Sequence, residues 1–328
     1  MIYFLFVAAA LITVVTAVKL STYADVIGER TKLGGMMAGV LLLAGATSLP
    51  EVTTSITAVL VDNPDIAVSN VFGSNLFNLF ILAAVDLFYR KRRILQAADT
   101  SHLSTAVLGF FMTACMAVVI LFPPGWSIFG IGLEMILLVG LYIAGMVFIS
   151  RSGTHLTPLS ADEPEPQHNA ISLRHAKRGF AVAAAIILAA GSALSVTGDM
   201  IAQATGISSS FVGAFLIAGA TSLPELVTVI VSVQLANHSM AIGNILGSNV
   251  FNMLILFIID AVYRGGPVLS VVSPAVLAAA VGVLILNALV IAAVMIVNRK
   301  KPAAMYSLPS ALVILVYFLS SYAIFSFS

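Results

Sequence analysis

Ten stretches of this chain are apolar and long enough to cross a bilayer, and that feature alone excludes most folds. They run near 2–18, 36–61, 67–89, 103–122, 128–149, 179–197, 211–235, 241–262, 273–297 and 305–326. A hydrocarbon core about 30 Å thick takes about 20 helical residues to cross. Ten-residue alternation of apolar and polar positions, the mark of a barrel strand, is absent, and backbone groups in lipid must bond within their own segment. The expected fold is therefore an all-α polytopic membrane protein with ten transmembrane helices. Only 9% of the 328 residues are charged, against about a quarter in a soluble domain, which removes soluble enzymes and disordered scaffolds. The formal net charge of +1 offers nothing to a nucleic acid. Met1–Leu5 carries no basic residue ahead of its apolar run, so the first run is read as a retained span and not as a cleaved signal.

The basic residues orient the spans. Loops after spans one, three, five and nine hold Lys19, Arg30 and Lys32; Arg90, Lys91, Arg92 and Arg93; Arg151, Arg174, Lys177 and Arg178; and Arg299, Lys300 and Lys301, which leaves Arg264 alone in an even-numbered loop. Basic loops stay in the cytoplasm. Both termini are therefore expected outside, in a prokaryotic plasma membrane. The segment 150–178 is the longest polar stretch, and Pro158, Pro164 and Pro166 among Asp162, Glu163 and Glu165 suit no packed core. It is expected to be a cytoplasmic connector between a first five-helix unit, 1–149, and a second, 179–328. The single cysteine, Cys115, closes no internal disulfide and makes no thiolate zinc site. It is read as a small buried hydrophobe.

Those two units are copies. Shifted by 174 residues, Gly45–Arg90 aligns with Gly219–Arg264 without a gap, and 23 of the 46 pairs are identical. The core of the match is Gly45-Ala46-Thr47-Ser48-Leu49-Pro50-Glu51 against Gly219-Ala220-Thr221-Ser222-Leu223-Pro224-Glu225. A second block follows, Asn70-Val71-Phe72-Gly73-Ser74-Asn75-Leu76-Phe77-Asn78 against Asn244-Ile245-Leu246-Gly247-Ser248-Asn249-Val250-Phe251-Asn252. Equivalent helices lie five spans apart, an odd number, so the copies enter the membrane in opposite senses and form inverted repeats.

Each copy sets one carboxylate in an apolar helix, Glu51 in span two and Glu225 in span seven. Insertion scales put an ionised group there at roughly 2.5–3.5 kcal/mol, so such a residue is a functional candidate by default. The proline before each glutamate has no N–H for the carbonyl four residues back, which predicts broken helices two and seven between Thr47 and Glu51 and between Ala220 and Glu225. Thr47 and Glu51 share a helical face, as do Thr221 and Glu225, and Asn70, Ser74 and Asn78 repeat at i, i+4 and i+8 with the counterparts Asn244, Ser248 and Asn252. Packed across a two-fold axis, these helices would enclose two carboxylates, hydroxyls, amides and loosened carbonyls. Six to eight hard oxygens at roughly 2.3–2.6 Å make a Ca²⁺ environment, with nothing soft or nitrogenous in it.

Other polar residues read as structural. Gly73 and Gly247 allow helices to approach. Thr54, Ser55 and Thr228 either line the ion path or bond their own i−4 carbonyls, the commoner use. Asp86 and Asp260, each four residues before an arginine (Arg90 and Arg264), suit helix-end ion pairs. Glu134, which has no equivalent in the repeat, is expected to reach the interface. None of His102, His155, His168, His175 and His238 lies at membrane depth, so a hydrolase using Ser48 or Ser222 as nucleophile would lack a histidine base.

At the two duplicated motifs the sequence resembles the calcium/cation antiporter superfamily, which includes the sodium/calcium exchangers. The resemblance implies ion ligands at Thr47, Ser48, Glu51, Ser74, Thr221, Ser222, Glu225 and Ser248. Asn78 and Asn252 join the candidate metal site, each standing where many sodium/calcium exchangers carry an aspartate in one copy. The family glycine before Thr-Ser is here Ala46 and Ala220. The resemblance also implies long tilted helices in spans one and six that slide to switch access. The expected activity is secondary antiport of Ca²⁺ for Na⁺, with H⁺ as the alternative coupling ion, Na⁺/H⁺ exchange and a passive cation channel as further alternatives, and no cofactor.

Overall fold

The computed structural model describes residues 1–30, 45–90, 93–128, 130–151, 171–297 and 307–327. The helices are α1 (Ile2–Arg30), α2 (Leu49–Leu60), α3 (Pro64–Phe88), α4 (Thr100–Leu121), α5 (Leu133–Arg151), α6 (Leu173–Thr205), α7 (Ser209–Thr221), α8 (Leu223–Gln234), α9 (His238–Val262), α10 (Pro274–Val297) and α11 (Leu308–Ser326). Among the described residues eight helices are continuous spans, and α7 with α8 forms a ninth that bends by 41° at its break. Helix α2 is the second half of span two; residues 31–44, which include most of the first half, lie outside the described residues. A two-residue hairpin pairs Ser127–Ile128 with Ile131–Gly132 just before α5.

Two helices outrun their apolar cores. Helix α1 continues twelve residues beyond the expected end at 18, and α6 begins at Leu173, inside the expected connector, and runs for 33 residues. Ser172 caps α6 by accepting from His175 N, and Gly206 closes it in the left-handed region at φ 72°. At 1.5 Å per residue α6 is about 50 Å long, more than a bilayer core needs even when tilted. The central part of the connector, 152–170, lies outside the described residues.

The repeat appears as paired contacts with exchanged roles. Asn63 caps α3 by accepting from Ile66 N, and its equivalent Asn237 caps α9 by accepting from Met240 N. A methyl added at Gly45 would meet Phe251 at 3.6 Å, and one at Gly219 would meet Phe77 at 3.7 Å. Helices α3 and α9 are the most buried of the eight continuous spans, so these two motif-bearing helices lie at the core. Helices α1 and α6 pack on each other through Ala17, Leu20, Ala24, Ala183 and Ile187.

Three expectations are corrected here. Asp86 and Asp260 are buried, and no ion pair to Arg90 or Arg264 is found among the described residues; Asp86 accepts from Leu95 N at 3.3 Å and Ser310 Oγ at 2.6 Å, and Asp260 from Gly132 N at 2.7 Å and Val268 N at 2.6 Å. A carboxylate in apolar surroundings is better matched by N–H and O–H groups that the fold brings to it than by a long arginine that can reach water. Glu134 does not extend into solvent at the helix end: it is 4% exposed and sits beside Gly132, near Asp260. Cys115 is exposed on the outer side of α4, the environment that lipid would fill.

Candidate ion-binding site

The site begins with two helix breaks. Ser48 (φ −90°, ψ 8°) and Ser222 (φ −88°, ψ 2°) leave helical geometry, and α2 and α8 restart with their prolines in the first turn. The ring of Pro50 crowds the carbonyl of Ala46 and offers it no N–H, so the chain yields two residues upstream. Glu51 and Glu225 consequently lie in the first turns of the new helices, where the exposed N–H groups of a helix start favour a negative charge. Span seven carries a second irregularity, a π-helical stretch over Val212–Ile217. It bears on α3 so closely that a methyl on Gly73 would collide with the Ala214 backbone, and one on Gly213 would meet Ile66 O at 2.7 Å. Gly73 is thus a packing glycine, as expected; no described atom lies within 4 Å of a methyl at Gly247.

All ten candidate ligands are at most 1% exposed: Thr47, Ser48, Glu51, Ser74, Asn78, Thr221, Ser222, Glu225, Ser248 and Asn252. The structure brings the two halves together at this point. Ser74 Oγ approaches Thr221 Oγ1 at 3.5 Å, Thr221 and Ser222 lie beside the Glu51 carboxylate, and Glu225 is close enough to Glu51 to feel its charge. Eight of the site's oxygens are buried without a hydrogen-bond partner: Ser48 Oγ, Glu51 Oε1 and Oε2, Asn78 Oδ1, Ser222 Oγ, Glu225 Oε2, Ser248 Oγ and Asn252 Oδ1. Buried polar atoms almost always find a partner, so eight orphans contributed by four segments and both repeats call for a ligand. Hard oxygens that lack donors suit a cation. No cluster of three or more His, Cys, Asp or Glu exists among the described residues, so the charge at the site comes from two carboxylates and the rest of its oxygens are neutral.

The neighbouring hydroxyls are used internally. Thr54 Oγ1 donates to Pro50 O at 2.9 Å and Thr228 Oγ1 to Pro224 O at 3.0 Å, the back-bonds expected of them. Ser55 instead donates to Ala67 O at 3.3 Å. Asn70, on the same helical stripe as Ser74 and Asn78, is held by its amide nitrogen, which donates to Thr54 Oγ1 and Ser55 Oγ, both at 2.9 Å, and ties α3 to α2, while its Oδ1 is a further buried oxygen without a partner. Sequence reasoning missed Asn75 and Asn249. They lie off the i, i+4 stripe, yet each is buried and bonded across the repeat interface. Their identity in both copies, at a depth where polar side chains are costly, was the signal.

Comparison with known proteins agrees with this architecture. The sodium/calcium exchanger protein family matches residues 1–151 and 176–327. The inner membrane protein YrbG of Escherichia coli (strain K12) is 25% identical over 269 residues, 80% of each chain. Among solved structures, the sodium-calcium exchanger NCX_Mj superposes with a TM-score of 0.60 at 20% identity over 97% of this chain and 98% of that one. The H⁺/Ca²⁺ exchanger CAX superposes with a TM-score of 0.66 at 14% identity over 99% and 90%. At these identities the two structures speak for the fold.

Proposed function

Because the chain belongs to the sodium/calcium exchanger protein family, we propose that it is a secondary antiporter in which Ca²⁺ and Na⁺ compete for one oxygen-lined site between the repeats. The observation that carries this reading is the set of eight unpartnered buried oxygens on the four motif-bearing segments, with Glu225 near enough to Glu51 to feel its charge. The ligands in this reading are Glu51, Glu225, Thr47, Ser48, Thr221, Ser222, Ser74, Asn78, Ser248 and Asn252. One Ca²⁺ or two Na⁺ neutralises the two carboxylates. Without a cation the pair would hold two like charges in a low dielectric, an arrangement that disfavours switching while empty and so couples the two fluxes.

Switching involves α1 and α6. Their shared face is built largely of alanines, which allows one helix to slide on its neighbour, and α6 is fastened to α2 by Thr57 Oγ1 to Ser192 Oγ at 2.9 Å and to the turn before α3 by Asn63 Nδ2 to Asp199 Oδ1 at 2.6 Å. Asn63 Nδ2 also reaches Ser209 Oγ at 2.9 Å, so one amide joins α6, α7 and the turn before α3. With the basic loops in the cytoplasm, that knot closes the external face.

The test is Ca²⁺ uptake into proteoliposomes. An outward Na⁺ gradient drives uptake at neutral pH on both sides, and an outward proton gradient without Na⁺ does not. Uptake driven by the proton gradient alone would replace Na⁺ by H⁺ as the coupling ion. Large unitary currents without counterflow would replace exchange by a channel.

A further inference from the structure

The amides of Asn78 and Asn252 pose a question of orientation. An asparagine beside a cation serves as a ligand only when its oxygen faces the ion; turned over, it presents two N–H donors and repels. What decides the orientation is whatever holds the other end of the amide. Asn78 Nδ2 donates to Asn249 Oδ1 at 3.0 Å, and in the mirrored arrangement Asn252 Nδ2 donates to Asn75 Oδ1 at 3.1 Å. Asn75 and Asn249 are fixed in turn, because Asn75 Nδ2 donates to Asn249 O at 3.1 Å and Asn249 Nδ2 to Asn75 O at 3.3 Å. Asn75 Nδ2 lies a further 3.5 Å from Met253 Sδ. Four asparagines from two helices thus form a chain across the repeat axis, near the middle of α3 and α9, with the reciprocal Asn75–Asn249 pair at its centre and Asn78 and Asn252 at its ends. Every amide nitrogen in the chain is committed, and of its side-chain oxygens only Asn78 Oδ1 and Asn252 Oδ1 are left without a partner.

We propose that Asn75 and Asn249 are positioning residues, an amide clasp that holds Asn78 and Asn252 with their oxygens toward the transported cation. The clasp rests on the reading of the site given above. It explains why a polar pair lies at membrane depth off the ligand stripe, and why both copies carry it. It also makes the two halves interdependent, since each ligand amide is oriented by the opposite repeat.

Asn249→Leu keeps the side chain's shape and removes the oxygen that holds Asn78. The Asn78 amide then turns over, and the KM for Ca²⁺ rises ~10-fold with turnover little changed. Asn75→Leu does the same through Asn252. The cycle with Asn78→Asp separates orientation from packing, because a carboxylate has an oxygen on both sides: in that background Asn249→Leu changes the KM less than about threefold. An unchanged KM in Asn249→Leu, or an equal rise in both backgrounds, overturns the proposal. If the leucine variants fail to fold, Asn249→Ala, which removes the same oxygen, is compared in the two backgrounds, and an unchanged KM or an equal rise in both overturns the proposal. Glu225→Gln is measured in parallel. If it transports like the wild type the site itself is wrong; if it is impaired while Asn249→Leu is not, only the clasp is wrong.

Discussion

Replacing Glu225 by glutamine removes one charge and almost no volume from the site. Glu225 is 1% exposed, its Oε2 has no protein partner, and the other carboxylate, Glu51, is fully buried beside it. No bulk water reaches in to compensate the change, so a bound Ca²⁺ would sit with one carboxylate and an uncancelled positive charge. Removing one partner of a buried ion pair costs about 3–5 kcal/mol. At about 1.4 kcal/mol per decade that is a loss of roughly two to three and a half decades in affinity. The assay is initial ⁴⁵Ca²⁺ uptake into proteoliposomes over a wide Ca²⁺ range, with an outward Na⁺ gradient. The KM for Ca²⁺ is expected to rise at least ~100-fold or uptake to vanish, and Glu51→Gln is expected to behave alike because the repeat makes the two residues equivalent. Glu134→Gln is the control, since Glu134 is also buried but lies beside Asp260 and away from the helix breaks. A change of less than about threefold in Glu225→Gln, or an equal effect in Glu134→Gln, would refute the reasoning.

Three further outcomes follow from the packing. Gly73→Val forces α3 away from the Ala214 backbone; overpacking of this kind costs about 1–3 kcal/mol, and thermal unfolding in detergent should show a lowered Tm with transport lost or sharply reduced. Asp260→Asn weakens the charged acceptor of two backbone N–H groups, at 2.6 and 2.7 Å, so the Tm falls while the KM for Ca²⁺ holds; a raised KM with an unchanged Tm would contradict the anchoring role. Asn63→Ala cuts the tie of α6 to the turn before α3, and labelling of a cysteine placed near Asp199 should speed up if that tie keeps one face closed.

What could be read in the sequence was whatever depends on neighbours along the chain. Pro50 and Pro224 marked the breaks because a missing N–H acts four residues back, and Thr54 and Thr228 declared their back-bonds for the same local reason. The repeat was legible because identity at a fixed offset needs no coordinates. The partners of Asp86 and Asp260 were not, because Ser310 is 224 residues away from Asp86 and Gly132 is 128 from Asp260; spacing to the nearest arginine pointed to the wrong group. Glu134 failed similarly, being judged by its place near a helix end when its burial is set by Asp260 and the hairpin turn. Asn75 and Asn249 were visible as duplicated polar residues, but their role depends on α3 meeting α9 across the axis, which no periodicity states. The π-helical stretch at Val212–Ile217 also has no sequence mark, and follows from fitting span seven against Gly73 and Ile66.

The central claim is that the carboxylates of the two repeats share one cation, and anomalous diffraction from crystals soaked in Sr²⁺ addresses it directly. A single strong peak within about 2.3–2.8 Å of both Glu51 and Glu225 oxygens, lost in Glu225→Gln crystals, is the expected result; separate peaks at each glutamate, or none between them, would contradict it.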